Sequence, residues 1–143
     1  MSVQFQWRGQ KVTAEVRERI DRALRQGAAQ VVRYAQDLVS RPARRVVKRR
    51  KRNTVAGKKG STYSVYVGSS PGQPPRMRTG VGRSSIRWVK EKPLSYRVLV
   101  AAPGSYMTYL DRGTSRVQAR PWLRRAVEAV QPLIDQLVRK AGG

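Results

Sequence analysis

The first part of the chain carries apolar residues at helical spacing. They recur at steps of three and four from Val12 to Leu38, which predicts a long amphipathic helix over residues 12–39. Thr13 is suited to cap its start, and the Ser40–Pro42 segment is expected to end it, because proline disfavours helix in the residue before it. Gly27 interrupts the pattern at a cost of about 1 kcal/mol relative to alanine, so we expect it to mark a close packing contact.

Alternation of apolar and polar residues predicts a β-hairpin over residues 45–68. In its second arm Tyr63, Val65 and Val67 should face one way and the intervening residues the other. The first arm is strongly basic and alternates poorly, and the turn is placed at Gly57–Gly60. With arms of about nine residues the hairpin would extend about 30 Å.

The following segments predict a loop and two more strands. Residues 68–80 are rich in Gly, Pro and Ser, which is typical of a loop. Residues 83–91 and 95–102 have strand-like patterns and are expected to join near Lys92–Pro93.

The last part of the chain predicts a short helix and a long one. The short helix should cover Tyr106–Asp111 and stop at Gly113. The closing helix should start near Ala119, with Pro121 in its first turn. Pro132 is expected to bend that helix or restart it.

The order of these elements predicts an α+β fold for residues 1–143. We expect one domain with the helices on one face of a mostly antiparallel sheet, and a basic hairpin, residues 44–60, projecting from it. No internal repeat and no domain boundary is visible in the sequence.

The charge of the chain is extreme and unevenly distributed. Thirty-one Lys and Arg face eight Asp and Glu, for a formal net charge of +23. Residues 38–90 contain fifteen of the basic residues and no acid. Self-repulsion of this size opposes compaction and favours a polyanionic partner.

Two residue types that are common in enzyme active sites are missing. Cys and His are absent, which removes thiolate chemistry, the commonest general base and the commonest metal ligand. The acids are scattered, and the Gly80–Ser85 segment lacks the lysine of a P-loop. We therefore expect no enzyme activity, no catalytic residue, no cofactor and no metal site. Since no run approaches about 18 apolar residues, we also expect a soluble protein made in the cytosol, without a membrane partner.

The basic hairpin allows two interpretations. Its charges either protect a sheet edge in solvent or contact a polyanion. Two or three charges would protect an edge, and nine in residues 44–60 favour contact. Aromatic interleaving is weak, so contact with phosphates is expected rather than sequence-specific reading of bases. The residues predicted to contact DNA or an acidic partner are Arg44, Arg45, Lys48, Arg49, Arg50, Lys51, Arg52, Lys58 and Lys59.

Three short motifs follow one another in the second half of the chain. The first comprises Thr79, Gly80, Gly82, Arg83, Ser85 and Ile86. The second comprises Tyr106, Tyr109, Asp111, Gly113 and Thr114. The third comprises Ala119, Arg120, Pro121, Trp122, Leu123, Arg124 and Ala126.

Together these motifs resemble the tail-completion, or neck, family of long-tailed bacteriophages. Its members show Thr-Gly-x-Leu-Arg-x-Ser-Ile, then Tyr-Ala-x-Tyr-x-Glu-x-Gly-Thr, then Arg-Pro-Phe-Leu-Arg-x-Ala. The resemblance covers residues 75–130 and has three mild departures. Val81–Gly82 stands where a residue plus Leu is usual, Asp111 replaces Glu, and Trp122 replaces Phe. The basic hairpin is not part of the family pattern.

The resemblance implies a structural virion protein of the head–tail junction. Such proteins form a homo-oligomeric ring around the DNA path, between the head–tail connector and the tail tube or terminator proteins. We expect a hexameric ring, with a dodecameric ring as the alternative. The ring should lie in the neck or tail of the virion, and its subunits should be in the host cytoplasm during assembly. Packaged DNA is a further expected contact.

The motif residues have a subunit-interface interpretation and a structural one. Core packing and helix capping would explain them as well, since Gly113 can take the positive φ that ends a helix and Trp122 supplies large apolar area. The two roles are compatible. The residues predicted to form the interface are Thr79, Gly80, Tyr106, Tyr109, Asp111, Gly113, Thr114, Arg120, Pro121 and Trp122.

A second hypothesis is a free protein that binds nucleic acid without sequence preference. The sequence pI of about 11.7 is typical of that class. A toxin or inhibitor of an acidic target is a third hypothesis, without a specific motif behind it.

Overall fold

A computed structural model describes residues 2–6, 13–49 and 62–143. The described part has the predicted α+β class, with helices packed on an antiparallel sheet. In chain order its elements are β1 (Ser2–Gln6), α1 (Ala14–Leu38), β2 (Arg44–Arg49), β3 (Thr62–Val67), α2 (Val81–Ser84), β4 (Ile86–Lys92), β5 (Ser95–Val100), α3 (Tyr106–Arg112) and α4 (Leu123–Gly142).

The main sheet has three antiparallel strands in the order β1-β5-β4. Strand β4 turns tightly into β5 through Pro93 and Leu94, as predicted, and Leu94 takes a positive φ of 60° in this turn. Strand β1 was not predicted from the sequence. It pairs along β5 from Ser2↔Leu99 to Gln6↔Ser95, and its Phe5 enters the core. Five residues are too few for a pattern, and the strand exists because β5 offers a free edge.

Helix α2 corrects the predicted start of the first strand of this sheet. The sequence placed that strand from Arg83, but the chain makes a short helix first and β4 begins at Ile86. Gly80, at a φ of 83°, reverses the chain before the helix. The hydroxyls of Ser84 and Ser85 then donate to the carbonyl of Val81, which favours the turn over a strand.

Helix α1 follows the predicted apolar spacing closely. Thr13 caps it, since its hydroxyl accepts a hydrogen bond from the Val16 amide at 3.4 Å. Gly27 is a close contact, as expected: an added Cβ would lie 2.8 Å from Cγ1 of Ile134 in α4. The residues of α1 that are buried against α4 and the sheet are Ile20, Ala23, Leu24, Gly27, Ala28, Val31 and Ala35.

Helix α4 starts later than predicted. Pro121 lies before the helix, and the helix starts at Leu123 with Trp122 in the capping position. Of the two outcomes expected at Pro132, a restart is excluded, because one helix continues through this residue. A proline removes one backbone hydrogen bond there, but buried Val130 and Ile134 on either side hold the helix on the core.

A partly buried carboxylate ties α1 to the β4–β5 turn. Asp21 accepts hydrogen bonds from Lys90 Nζ at 2.7 Å, from the Leu94 amide at 3.0 Å and from the Tyr96 hydroxyl at 2.8 Å. Burial acts to raise the pKa of Asp21, but these hydrogen bonds outweigh it and hold the pKa below its ordinary value. The ionised carboxylate is therefore part of the folded structure.

Replacing Asp21 should weaken the fold in a pH-dependent way. We expect Asp21→Asn to lower the free energy of unfolding by about 1–3 kcal/mol at neutral pH, because charge-assisted hydrogen bonds are lost. The folded pKa lies below the ordinary value of 3.8, so the contribution is complete above 3.8 and disappears as pH falls through the folded pKa. Urea denaturation of both proteins at several pH values measures it.

Asp37→Asn is the control for this experiment. Asp37 is exposed on the same helix, and its replacement should change stability by less than about 0.5 kcal/mol. The difference in free energy of unfolding between wild type and Asp21→Asn should shrink at low pH. If it stays constant from neutral pH to well below 3.8, the charge of Asp21 does not stabilise the fold.

Candidate functional site

The predicted hairpin is present as a two-stranded ribbon. We use β2–β3 ribbon for Arg44–Arg49 and Thr62–Val67, which pair in antiparallel register from Arg44↔Val67 to Arg49↔Thr62. Six residues per strand extend about 20 Å. The predicted turn at Gly57–Gly60 lies outside the described residues, as do Arg50, Lys51, Arg52, Lys58 and Lys59.

The β2–β3 ribbon lies outside the hydrophobic core. Within the described part of the chain, no ribbon residue belongs to the core cluster or packs against it. The base of the ribbon is held by the loop before α2. The Ala43 amide donates to the Met77 carbonyl and the Met77 amide to the Arg41 carbonyl, both at 2.8 Å. Arg78 adds a cation–π contact, 4.8 Å from the centre of the Tyr66 ring.

Both faces of the ribbon carry apolar and cationic side chains. Residues directly opposite in the register share a face. One face carries Arg45 beside Tyr66 and Val47 beside Ser64. The other face carries Arg44 beside Val67, Val46 beside Val65, and Lys48 beside Tyr63.

The large apolar side chains of the ribbon are unusually exposed. Val47 is 60% exposed, and Tyr63, Tyr66 and Val67 are each more than 40% exposed. An isolated two-stranded ribbon is marginally stable in water. A surface of this kind is typical of a segment that becomes covered by a partner.

Arg44, Arg45 and Lys48 of the ribbon have no carboxylate partner among the described residues. All eight acids of the chain lie in the described part, and the ion pairs found there involve α1, α4, β4 and β5. Arg44, Arg45 and Lys48 are exposed, and Arg45 Nε donates to the Ser64 hydroxyl at 2.9 Å. The ribbon is therefore a cationic surface that an external anion can reach.

Three residues predicted for a subunit interface line a surface groove. The α2–α3 groove, as we call it, has a volume of about 390 Å³ and is lined by Thr79, Gly80 and Tyr106, together with Val81, Gly82 and Arg83 of the first motif segment. The lining residues that the sequence did not single out are Val39, Pro75, Arg76, Met77, Arg78, Met107 and Leu110. The Arg-Met-Arg run at 76–78 could have indicated this groove from the sequence, because charged and apolar residues alternate there inside a loop.

Two other predicted interface residues are buried at the corner between α3 and α4. Asp111 Oδ1 accepts from the amides of Trp122 at 2.9 Å and Leu123 at 3.0 Å, and so caps α4 from the preceding helix. The Trp122 ring is fully buried, and its Nε1 donates to the Met107 carbonyl at 3.1 Å. These two residues hold the fold at this corner.

The remaining motif residues complete the same corner. Gly113 ends α3 at a φ of 79°, where a Cβ would lie 2.8 Å from the Ala119 amide nitrogen. The Thr114 hydroxyl accepts from the Val117 amide at 3.1 Å, and the Arg120 amide donates to the Leu110 carbonyl at 2.7 Å. Pro121 then leads into Trp122, so hydrogen bonds hold both ends of the connection between the two helices.

Helix α3 presents two tyrosines to solvent. Tyr109 is 66% exposed and Tyr106 is 45% exposed, while Met107 between them is buried. The corner thus combines a buried support with an exposed aromatic surface beside the α2–α3 groove.

The described residues offer binding surfaces of two kinds, one cationic and one apolar with a cationic edge. They contain no group of three or more Asp or Glu side chains placed to hold a metal ion. No described helix is both long and apolar enough to cross a membrane. Comparison of this chain with family models, with curated proteins and with solved structures found no match.

The capping role of Asp111 can be tested by two substitutions. We expect Asp111→Ala to lower the free energy of unfolding by about 2–4 kcal/mol, because two buried amides lose their acceptor. Asp111→Asn keeps one side-chain oxygen and should recover more than half of that loss. Chemical denaturation measures both variants, and equal stability of Asp111→Ala and wild type would exclude a capping role.

Proposed function

We propose that this protein is a structural subunit of a bacteriophage head–tail junction, in which the β2–β3 ribbon contacts the phosphates of the DNA that passes through. The observation that carries the proposal is the cationic ribbon. It lies outside the core, its Arg44, Arg45 and Lys48 have no carboxylate partner among the described residues, and it exposes apolar side chains on both faces. A segment of this composition is stabilised when an anionic partner covers it.

The three sequence motifs support the assignment to the phage neck. The motif residues meet at the α2–α3 groove and the α3–α4 corner, although they are spread over residues 79–126. In the proposed ring the buried Asp111 and Trp122 support the corner. Tyr109, which is exposed and lies outside the groove lining, contacts the next subunit. Head-to-tail contacts of this kind close into a ring when a whole number of rotations from one subunit to the next completes a full turn.

The proposed mechanism is binding and geometry, without catalysis. A hexamer, or a dodecamer as second choice, surrounds the DNA path and joins the connector to the tail tube or terminator. Contacts from Arg and Lys to phosphate are independent of sequence, which suits a protein that must hold any stretch of a genome. A two-stranded ribbon is also narrow enough for the major groove, which is about 12 Å wide.

A free nucleic-acid-binding protein is the second candidate, favoured by the net charge of +23. It would use the same ribbon on the same phosphates. The two candidates differ in stoichiometry, because a neck subunit occurs in a fixed copy number in purified particles and a free binder is absent from them.

Neutralising the ribbon should weaken DNA binding and leave the fold intact. For Arg44→Gln, Arg45→Gln and Lys48→Gln combined, we expect the slope of log affinity against log salt to fall by up to about 3, since each lost phosphate contact contributes about 0.9. Fluorescence anisotropy with a labelled DNA duplex at several salt concentrations measures the slope.

The matched control removes the same charge from another surface. Arg17, Arg25 and Arg33 are exposed on α1, and their combined replacement by Gln should leave most of the slope. If both triple variants lose the same affinity, the ribbon is not the DNA contact. Assembly of heads and tails in an infection complemented by the ribbon variant should fail, and normal, genome-retaining particles would contradict the proposed role.

Ring assembly should depend on an anionic partner. A hexamer gathers six chains of charge +23, and their repulsion is weakly screened at low ionic strength. We expect the purified protein to stay monomeric or aggregate at low salt, and to form rings when DNA or the connector is added. Light scattering and negative-stain images distinguish these states, and a stable ring of the protein alone at low salt would contradict the expectation.

A further inference from the structure

The α2–α3 groove combines apolar lining with arginines at its opening. Val39 and Met107 are buried in its lining, Met77 and Leu110 are partly buried, and the side chain of Thr79 is exposed. A volume of about 390 Å³ lies at the lower end of the range of about 300–1,000 Å³ for ligand sites. The groove therefore has room for one or a few side chains of a bound partner.

The shape of the groove is supported by a tight contact between its two walls. A Cβ added at Gly82 in α2 would lie 2.7 Å from Met107 Sδ and 2.8 Å from the Tyr106 hydroxyl in α3. The Met107 carbonyl also accepts a hydrogen bond from Nε1 of the buried Trp122. These contacts preorganise the groove, which reduces the entropy lost on binding.

The charge around the groove is entirely positive. Arg76, Arg78 and Arg83 line it and are exposed, and no acidic residue does so. None of the three belongs to an ion pair among the described residues. Arg76 also lines a neighbouring cavity of about 200 Å³ with Arg41 and Arg125, which extends the positive surface.

We propose that this groove binds an acidic segment of a different protein, with a large apolar side chain in the groove and carboxylates on Arg76, Arg78 and Arg83. Arginine binds carboxylates through paired hydrogen bonds. An aromatic or aliphatic side chain is stabilised in the groove because the apolar lining removes it from water. A nucleic acid backbone would satisfy the arginines but would leave the apolar lining without a partner.

A second copy of this chain is a poor occupant, because it has almost no acid to offer. Five of its eight acids are in ion pairs: Glu15, Glu18, Asp21, Glu91 and Glu128. Asp111 is buried as a helix cap. Asp37 and Asp135 are isolated in the sequence, and the three acids of residues 15–21 alternate with arginines, so the chain has no dense acidic segment at these positions. The proposal does not depend on the phage assignment.

The test uses a short fluorescein-labelled peptide of glutamates around a central Phe-Leu pair. Arg76→Gln, Arg78→Gln and Arg83→Gln combined should weaken its binding roughly tenfold or more, since close charge pairs dominate such contacts. The Arg17, Arg25 and Arg33 variant loses the same charge and should lose less than about threefold, the part due to net charge. Thr79→Trp keeps every charge and should weaken binding by occupying the groove.

Two further measurements distinguish binding in the groove from nonspecific attraction between an acidic peptide and a basic protein. Replacing Phe-Leu in the peptide by Ser-Ser should weaken binding roughly tenfold, because the apolar contact is lost. With benzoylphenylalanine in place of Phe, photo-crosslinks should map to Met77 or Met107. Circular dichroism verifies that each variant is folded.

Several results would overturn the proposal. These are no binding to wild type, equal loss in the two arginine variants, equal binding of the Ser-Ser peptide, or crosslinks confined to the β2–β3 ribbon. If the groove variant instead loses affinity for a DNA duplex and keeps its affinity for the peptide, the arginines belong to a nucleic-acid site.

Discussion

Repulsion among the basic side chains is the constraint on which this structure depends. Thirty-one cations and eight acids cannot be neutralised within one small domain. The acids are concentrated in the body of the fold, where five of them form ion pairs and Asp111 caps a helix. Most of the unpaired positive charge of the described residues lies on exposed surfaces, where solvent or a partner can screen it, and the ribbon and the loop before α2 carry cations without any acid. The acids therefore lie in the packed body of the domain, whereas the charged residues of the two proposed binding surfaces are all cations.

The hydrophobic core provides the rigid support for both surfaces. Helix α1 crosses α4 closely at Gly27, and Trp122 fills the space beneath α3. Because the Trp122 ring also hydrogen-bonds to Met107, the packing that stabilises the domain positions one wall of the α2–α3 groove. Residues that look like interface motifs in the sequence therefore act partly through the core, and the exposed tyrosines of α3 form the outer layer.

The ribbon and the groove share the loop before α2. Met77 pairs by backbone hydrogen bonds with the chain entering β2 and also lines the groove. Arg78 lines the groove and contacts the Tyr66 ring of the ribbon. A partner in the groove and a polyanion on the ribbon would thus act on the same few residues, which gives the two surfaces a direct physical connection.

The sequence by itself determined the α+β class, α1, the paired arms of the hairpin and the short helix before Gly113. Each of these follows from local periodicity or from one residue with special backbone freedom. It also determined the charge asymmetry, which is a property of composition. What the described structure adds depends on residues far apart in the chain.

Strand β1 exists because β5 has a free edge, and α4 continues through Pro132 because the core holds Val130 and Ile134. Asp111, which the sequence placed at a subunit interface, is a buried helix cap because α3 turns back onto α4. The groove brings Val39, the 75–83 segment and α3 together, and such proximity leaves no periodic signal. Tertiary structure alone decided these features, since burial and pairing depend on which distant segment comes to lie alongside.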